Sequence, residues 1–174
     1  MLMTVEKLKN YINTDENDTT LEGKLQALES LIRNYTHNNF QLKNIRSRSE
    51  ILDGSILNPP EHISVGDTIQ ISDSLLNNGI YTVTEISENG LIVDADLLDC
   101  KKNLITKIRY PPDVIMGAVN MLKWDIENRE KVGIQSETIS RHSVTYFNMD
   151  GDNSVMGYPK SLLGFLKPYM KARF

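Results

Sequence analysis

The 174-residue chain lacks several features that would assign it to a broad class of protein. It has a single cysteine, Cys100, which excludes an intramolecular disulfide and is typical of a reducing compartment. No apolar stretch approaches the roughly 18 residues of a membrane span, and the first residues carry no signal-peptide pattern. We therefore expect a soluble protein that is assembled in the cytosol and does not contact a membrane.

Acids and bases are each missing from one long stretch. Residues 61–99 contain no Lys or Arg, and residues 153–174 contain no acid. The acidic stretch argues against that region binding a phosphate backbone. The basic stretch could contact phosphate, an acidic protein surface or an acidic part of its own fold. The acids of the first stretch are Glu61, Asp67, Asp73, Glu85, Glu88, Asp94, Asp96 and Asp99, and the bases of the second are Lys160, Lys167, Lys171 and Arg173.

The sequence also lacks a catalytic constellation. Its three histidines, His37, His62 and His142, lie in separate regions without metal-ligand spacing, and no phosphate-loop, dinucleotide or serine-nucleophile motif is present. Asp94, Asp96 and Asp99 could supply a general acid and base pair, but acids near hairpin ends are more often turn residues. We therefore expect no catalytic residue, no metal site and no cofactor.

The first 39 residues and the last 64 have helical patterns. Thr4 is placed to cap a short helix over Val5–Ile12, and Thr19 with Glu22 matches a capping box for a second helix that ends near Tyr35. Pro112 opens a third helix, for which Gly133 fits the residue just past its end. Leu162, Phe165, Leu166 and Tyr169 then form an amphipathic stripe, which Pro168 is expected to break near Lys167.

Residues 40–110 have an alternating pattern instead. Ile69 and Ile71 lie on one face of a strand, Asn78-Gly79 and Asn89-Gly90 are hairpin-type turns, and Ile105–Tyr110 is a closing strand. The chain is therefore predicted to be α+β. A bundle of three to four helices, residues 1–39 and 111–174, carries an inserted antiparallel subdomain, residues 40–110, as an SH3-like barrel or a small sheet.

Seven stretches of the sequence share features with one known family: Thr4–Ile12, Leu21–Tyr35, Tyr110–Val114, Met121–Trp124, Gly133–Glu137, Ile139–Tyr146 and Gly157–Phe174. Together they resemble the head-tail connector (adaptor) proteins of long-tailed bacteriophages and prophages of Gram-positive bacteria. The stretches lie at both ends of the chain and in the third helix, and the two nearest the C-terminus are the most specific. The β-rich insertion departs from the simplest members, which are compact helical bundles.

The resemblance implies a structural protein without enzymatic activity. Identical subunits would form a ring, dodecameric when assembled, beneath the portal and above the stopper. The DNA channel would then run through the ring without sequence-specific binding. The expected portal-docking residues are Pro159, Leu162, Phe165, Leu166, Lys167, Tyr169, Lys171, Arg173 and Phe174. Subunit contacts are expected at Trp124 and at an extended arm that includes Arg141, His142, Val144 and Tyr146.

Two other functions remain open from the sequence alone. The barrel could bind nucleic acid, although the lack of bases in residues 61–99 argues against this. The chain could also be another virion protein, such as a stopper or tail-completion factor. Under the connector hypothesis, Tyr169–Phe174 is expected to leave the domain. Deletion of Pro159–Phe174 is expected to leave a folded protein that cannot complete tails.

Overall fold

The computed structural model describes residues 1–88, 90–129, 136–139, 142–145 and 152–172, with the backbone alone for the two four-residue segments. The fold is α+β: helices and strands are mixed, and six of the strands form a closed antiparallel barrel. The chain divides into two compact units. The barrel unit comprises Met1–Thr4 and Asn38–Tyr110, and the helical unit comprises Val5–His37 and Pro111–Phe174.

Six strands make up the barrel, and each pairs antiparallel with both of its neighbours. Around the barrel they follow the order β1-β2-β5-β4-β3-β6, and β6 pairs with both β1 and β3 to close it. Closure leaves no free sheet edge between these strands. The strands are β1 (Gln41–Leu52), β2 (Ser55–Leu57), β3 (Thr68–Ser72), β4 (Gly79–Ser87), β5 (Gly90–Val93) and β6 (Cys100–Ile108).

Alternating apolar residues fill the interior of the barrel. Ile69 and Ile71 are both fully buried on β3, as the alternation predicts, and Ile105 is buried opposite Ile71 on the closing strand β6. The two-residue period of a strand sends these side chains to the same face. The rest of this core consists of Ile51, Ile56, Val83, Leu91, Val93 and Leu97.

The connection between β3 and β4 differs from the expected two-residue turn at Asn78-Gly79. Ile71 pairs with Gly79, so Gly79 already belongs to β4 and the connection is a longer loop. Side chains build that loop: the Ser74 Oγ accepts the Asn77 amide at 3.0 Å, and the Asn78 Oδ1 accepts the Ser74 amide at 3.0 Å. The expected turn at Asn89 lies outside the described residues, although Ser87 pairs with Gly90 across it.

The acids near the barrel's turns accept backbone hydrogen bonds. The Asp94 Oδ1 accepts the Thr82 amide at 2.8 Å, and the Asp99 Oδ1 accepts the Asp53 amide at 2.8 Å. Such bonds satisfy backbone amides near the ends of the hairpins. The interpretation of these aspartates as turn residues agrees with this geometry.

In the part of the helical unit that the structure describes there are three α-helices: α1 (Val5–Lys9), α2 (Asp18–Thr36) and α3 (Pro112–Asn128). The predicted stripe of α1 is buried at Val5 and Leu8, but the helix itself ends before Ile12. The predicted cap of α2 was wrong by two residues. Asn17 caps the helix by accepting the Thr20 amide at 2.8 Å, and Asp18 places a negative charge in the first turn, where the helix dipole favours it.

α3 presents a broad buried face at helical spacing, which includes Val114, Ala118, Met121 and Leu122 as predicted. Pro112 stands in its first turn, where the missing amide costs no helical bond. Gly133, which was expected just past the end of this helix, lies outside the described residues. Among the described residues two two-stranded antiparallel sheets follow: β7 (Ser136–Ile139) with β8 (His142–Thr145), and β9 (Ser154–Val155) with β10 (Tyr158–Pro159).

Candidate interaction surface of the C-terminal segment

The C-terminal segment starts from an anchored hairpin. β10 pairs with β9, the Lys160 amide donates to the Asn153 carbonyl at 2.9 Å, and Tyr158 and Pro159 are buried. Met156 and Gly157 both have positive φ, of 52° and 80°, which turns the chain between the two strands. This hairpin fixes where the following segment begins on the helical unit.

A polar network around Asp125 holds the hairpin against α3. Asp125 is only 7% exposed, and its Oδ1 accepts the Arg129 Nε at 2.6 Å and the Tyr158 hydroxyl at 3.4 Å. Its Oδ2 lies 3.4 Å from the Lys24 ammonium of α2, which also donates to Glu16 at 2.5 Å. A buried carboxylate needs such partners, because an unpaired charge in this place would be strongly destabilising.

Arg129 also contributes aromatic contacts to this network. Its guanidinium lies 5.4 Å from the centre of the Trp124 ring and 4.9 Å from that of Tyr158, and it donates to the Gly157 carbonyl at 2.9 Å. The rings of Trp124 and Tyr158 are 5.6 Å apart. Trp124, expected at a subunit interface, is half-buried here and packs within its own unit.

The network changes the proton affinity of two of its members. Burial, followed by the negative charge of Asp125, raises the pKa of Tyr158 to about 12. For Lys24, burial opposes the charged form, but the hydrogen bond and charge of Glu16 together with Asp125 outweigh it and raise the pKa.

The high pKa of Tyr158 predicts an alkaline loss of stability. The folded chain keeps the phenol proton up to about pH 12, whereas the unfolded chain releases it near its ordinary pKa of 10. The contribution of Tyr158 is thus intact below pH 10 and declines as the pH rises toward 12. We expect Tyr158→Phe to show a shallower fall in melting temperature over this range. Equal pH profiles for the variant and the wild type would contradict this assignment.

A 3-10 helix, Lys160–Tyr169, follows the hairpin and differs in type from the expected α-helix. Leu163 and Leu166 are buried, three residues apart, as the 3-residue turn of this helix requires. Leu162 of the predicted stripe is half-buried instead. Pro168 does not end the helix near Lys167. In an α-helix the proline ring would clash with the carbonyl of the residue four positions earlier. The 3-10 helix instead includes Pro168 and ends at Tyr169.

Phe165 packs directly on the backbone of α3. A Cβ atom added at Gly117 would lie 2.3 Å from the Phe165 Cζ, a separation that real atoms do not allow. Gly117 therefore opens a place on α3 that the aromatic ring fills. The contact ties the 3-10 helix to the core of the helical unit, together with Leu163 and Leu166.

Beyond the 3-10 helix the chain remains attached to its own unit. The Tyr169 hydroxyl lies 2.8 Å from the Asp113 Oδ1 and 2.7 Å from the Oδ2, and this hydrogen bond raises the pKa of Tyr169. The Lys171 amide donates to the Thr36 carbonyl at the end of α2 at 2.8 Å. The expectation that the chain leaves the domain from Tyr169 onward was therefore wrong, since the backbone is held at least to Lys171.

The other side of the segment faces solvent. Lys160, Lys167, Pro168, Met170 and Lys171 are exposed, and residues 153–172 contain no acid. We call the exposed set Lys167, Pro168, Met170 and Lys171 the outer face. It combines two positive charges with apolar surface, and Met170 is 48% exposed.

The structure thus separates the expected portal-docking residues into two groups. Pro159 and Leu166 are buried, and Leu162, Phe165 and Tyr169 are half-buried. These side chains therefore pack mainly within the helical unit. Only Lys167 and Lys171 of the expected set are exposed among the described residues. The sequence reasoning missed Leu163, which a period of three would have found. Arg173, Phe174, Arg141 and Tyr146 lie outside the described residues, as do the side chains of His142 and Val144.

No family model matches this chain, and a search of curated proteins finds no match either.

In the part of the chain that the structure describes, no helix is long and apolar enough to cross a membrane. Among the same residues, no three His, Cys, Asp or Glu side chains are grouped so that they could hold a metal ion. Backbone hydrogen bonds at Lys102 and Leu75 lower the pKa of the Cys100 thiol.

Proposed function

We propose that the protein is a structural head-tail connector (adaptor) of a tailed bacteriophage. Rings of this chain would bind beneath the portal and join the DNA-filled head to the stopper and tail. In the same proposal the helical unit is the connector domain and the barrel is an SH3-like insertion into it. The support from the sequence is the resemblance of both ends and of the third helix to this family.

The outer face is the observation that carries the proposal. Its side chains project from a segment whose inner residues, Leu163 and Leu166, are buried in the helical unit. The face is therefore held in place before any partner arrives, which lowers the entropy lost on docking. Exposed lysines beside Pro168 and Met170 fit a partner surface that offers acids around an apolar pocket.

Reversal of a single outer-face charge tests the proposal. We expect Lys167→Glu, and separately Lys171→Glu, to weaken binding to the portal ring of the same virus by about tenfold or more, because a like charge at an interface costs over 1 kcal/mol. Lys123→Glu makes the same charge change at an exposed position of α3 and serves as the control. Binding is measured by co-sedimentation with assembled portal, and electron microscopy shows whether a second ring is added.

The result that would overturn the proposal is a wild-type chain that does not associate with the portal at any concentration tested. Full binding by both outer-face variants would separately remove this face from the contact. Deletion of Pro159–Phe174 is unsuitable as a test. It removes Leu163 and Leu166 from the core, so the expectation of a folded deletion protein conflicts with the packing.

A further inference from the structure

The barrel carries opposite charges on opposite pairs of strands. In the closed order β1-β2-β5-β4-β3-β6, β1 lies three strands from β4, and β6 lies three strands from β5. The β1–β6 pair is therefore directly across the barrel from the β4–β5 pair. The bases of the barrel are concentrated on the first pair, and the second pair has none.

We call Arg46, Arg48, Lys101 and Lys102 the basic face. All four are exposed on β1 and β6. Arg48 lines two adjoining open grooves, one shared with Arg46 and Leu104, the other with Lys101 and Lys102. Two acids lie among them, Glu50 and Asp73, and Asp73 is 3.6 Å from the Arg48 guanidinium. The face keeps an excess of positive charge.

We call Glu85, Glu88, Asp94 and Asp96 the acidic face. All four are exposed on β4, in the turn after it, or just beyond β5, and residues 79–96 contain no base. Asp94 and Asp96 line an open groove with Asp53 and Ile92. Ile86 and Ile92 are 43% and 39% exposed on the same pair of strands. Apolar side chains framed by charges are typical of a protein-binding surface.

We propose that the basic face of one copy of this chain binds the acidic face of the next. The inference deepens the proposed function and rests on it, because it names the contact between neighbouring subunits of the ring. Two different faces that meet head to tail make a heterologous interface, which closes into a ring or extends as a filament. Faces on opposite sides of one barrel suit a ring of many subunits better than a dimer.

A second copy fits these surfaces better than nucleic acid does. A duplex would use the basic face alone, whereas the exposed acids across the barrel would repel it. Self-association uses both faces, and it covers Ile86 and Ile92 as well. Complementary faces also steer the encounter, so association should weaken as salt screens the charges.

Carbodiimide cross-linking of the full chain at low salt tests the contact. The reagent joins a lysine amine to a carboxylate as an amide and takes up the released water as a urea. An equal mixture of ¹⁵N-labelled and unlabelled chains identifies links between molecules by mass spectrometry. We expect intermolecular links from Lys101 or Lys102 to Glu85, Glu88, Asp94 or Asp96, at a yield that falls as salt is added.

Charge changes on each face supply the stricter test. Arg46→Glu with Arg48→Glu gives a chain with two acidic faces, and Glu85→Lys with Asp96→Lys gives one whose formerly acidic face carries no net charge. Asp94 is left in place because it accepts the Thr82 amide. Each variant alone should self-link at least about tenfold less, and an equal mixture of the two should regain the links. Lys123→Glu and Glu61→Lys control for net charge, and circular dichroism confirms folding.

Three results would overturn the inference: no intermolecular link between the faces in the wild type, wild-type yields in both variants, or no recovery in the mixture. Loss of duplex-DNA binding by the Arg46/Arg48 variant with unchanged self-association would assign the basic face to nucleic acid instead. The portal assay separates the two proposals. Links between the faces without portal binding would reject the connector function alone, and portal binding without such links would reject this contact alone.

Discussion

Leu163→Ala is expected to lower the free energy of unfolding of the helical unit by about 2 to 5 kcal/mol, the usual cost of a cavity left by a buried leucine. Leu163 is 1% exposed on the inner side of the 3-10 helix. Leu162→Ala is the matched control. Leu162 is only half-buried, so its truncation should lower the free energy of unfolding by about 1 kcal/mol. The order of the two effects depends on the helix type, since an α-helical stripe with Leu166 and Tyr169 would bury Leu162.

Trp124 offers a direct measurement for both variants. It is the only tryptophan of the chain, and its ring contacts Tyr158 and Arg129 within the helical unit. Urea unfolding followed by its fluorescence therefore reports on this unit and not on the barrel. Equal losses in the two variants, or a larger loss for Leu162→Ala, would mean that the C-terminal segment does not pack as a 3-10 helix.

Gly117→Ala should destabilise the helical unit by about 1 to 3 kcal/mol, the cost of overpacking a filled site. Alanine normally stabilises a helix interior relative to glycine by roughly 1 kcal/mol. Here the new methyl group would meet the Phe165 ring at 2.3 to 2.5 Å, so the ring or α3 must move. The side-chain clash is expected to outweigh the gain in helix propensity.

Gly23→Ala is the control for this substitution. Gly23 lies on the exposed side of α2, where an added Cβ meets nothing within 4 Å, so we expect a gain of about 0.5 to 1 kcal/mol. In a Phe165→Ala background the ring is gone, and Gly117→Ala should no longer cost stability. An additive double variant would show that the penalty at Gly117 does not come from Phe165.

The sequence predicts the regular elements of this protein well where one period dominates. The burial of Ile69, Ile71 and Ile105 follows from strand alternation, and that of Val114 and Met121 from helical spacing. Starts and ends are less certain because several residues compete to form them. Asn17 and Thr19 are both good capping residues, and the structure uses Asn17, which allows Asp18 to enter the first turn.

The candidate surface was less predictable for a different reason. Leu162 and Leu163 are adjacent leucines, so the choice of the buried one depends on whether the turn holds 3.0 or 3.6 residues. Pro168 predicts a break in the helix, although its ring excludes only the α-helical form. The Asp125 network joins Glu16, Lys24, Arg129 and Tyr158, which are far apart in sequence, and no local pattern brings them together.

The chain enters the barrel strands at Phe40 and leaves them at Tyr110, and these two positions are adjacent. The Arg109 amide donates to the Phe40 carbonyl at 3.0 Å, Gln41 pairs with Ile108, and the rings of Phe40 and Tyr110 lie 4.9 Å apart. Because the two ends of this segment lie side by side, a short linker could join Phe40 to Tyr110 with little change in the path of the flanking chain.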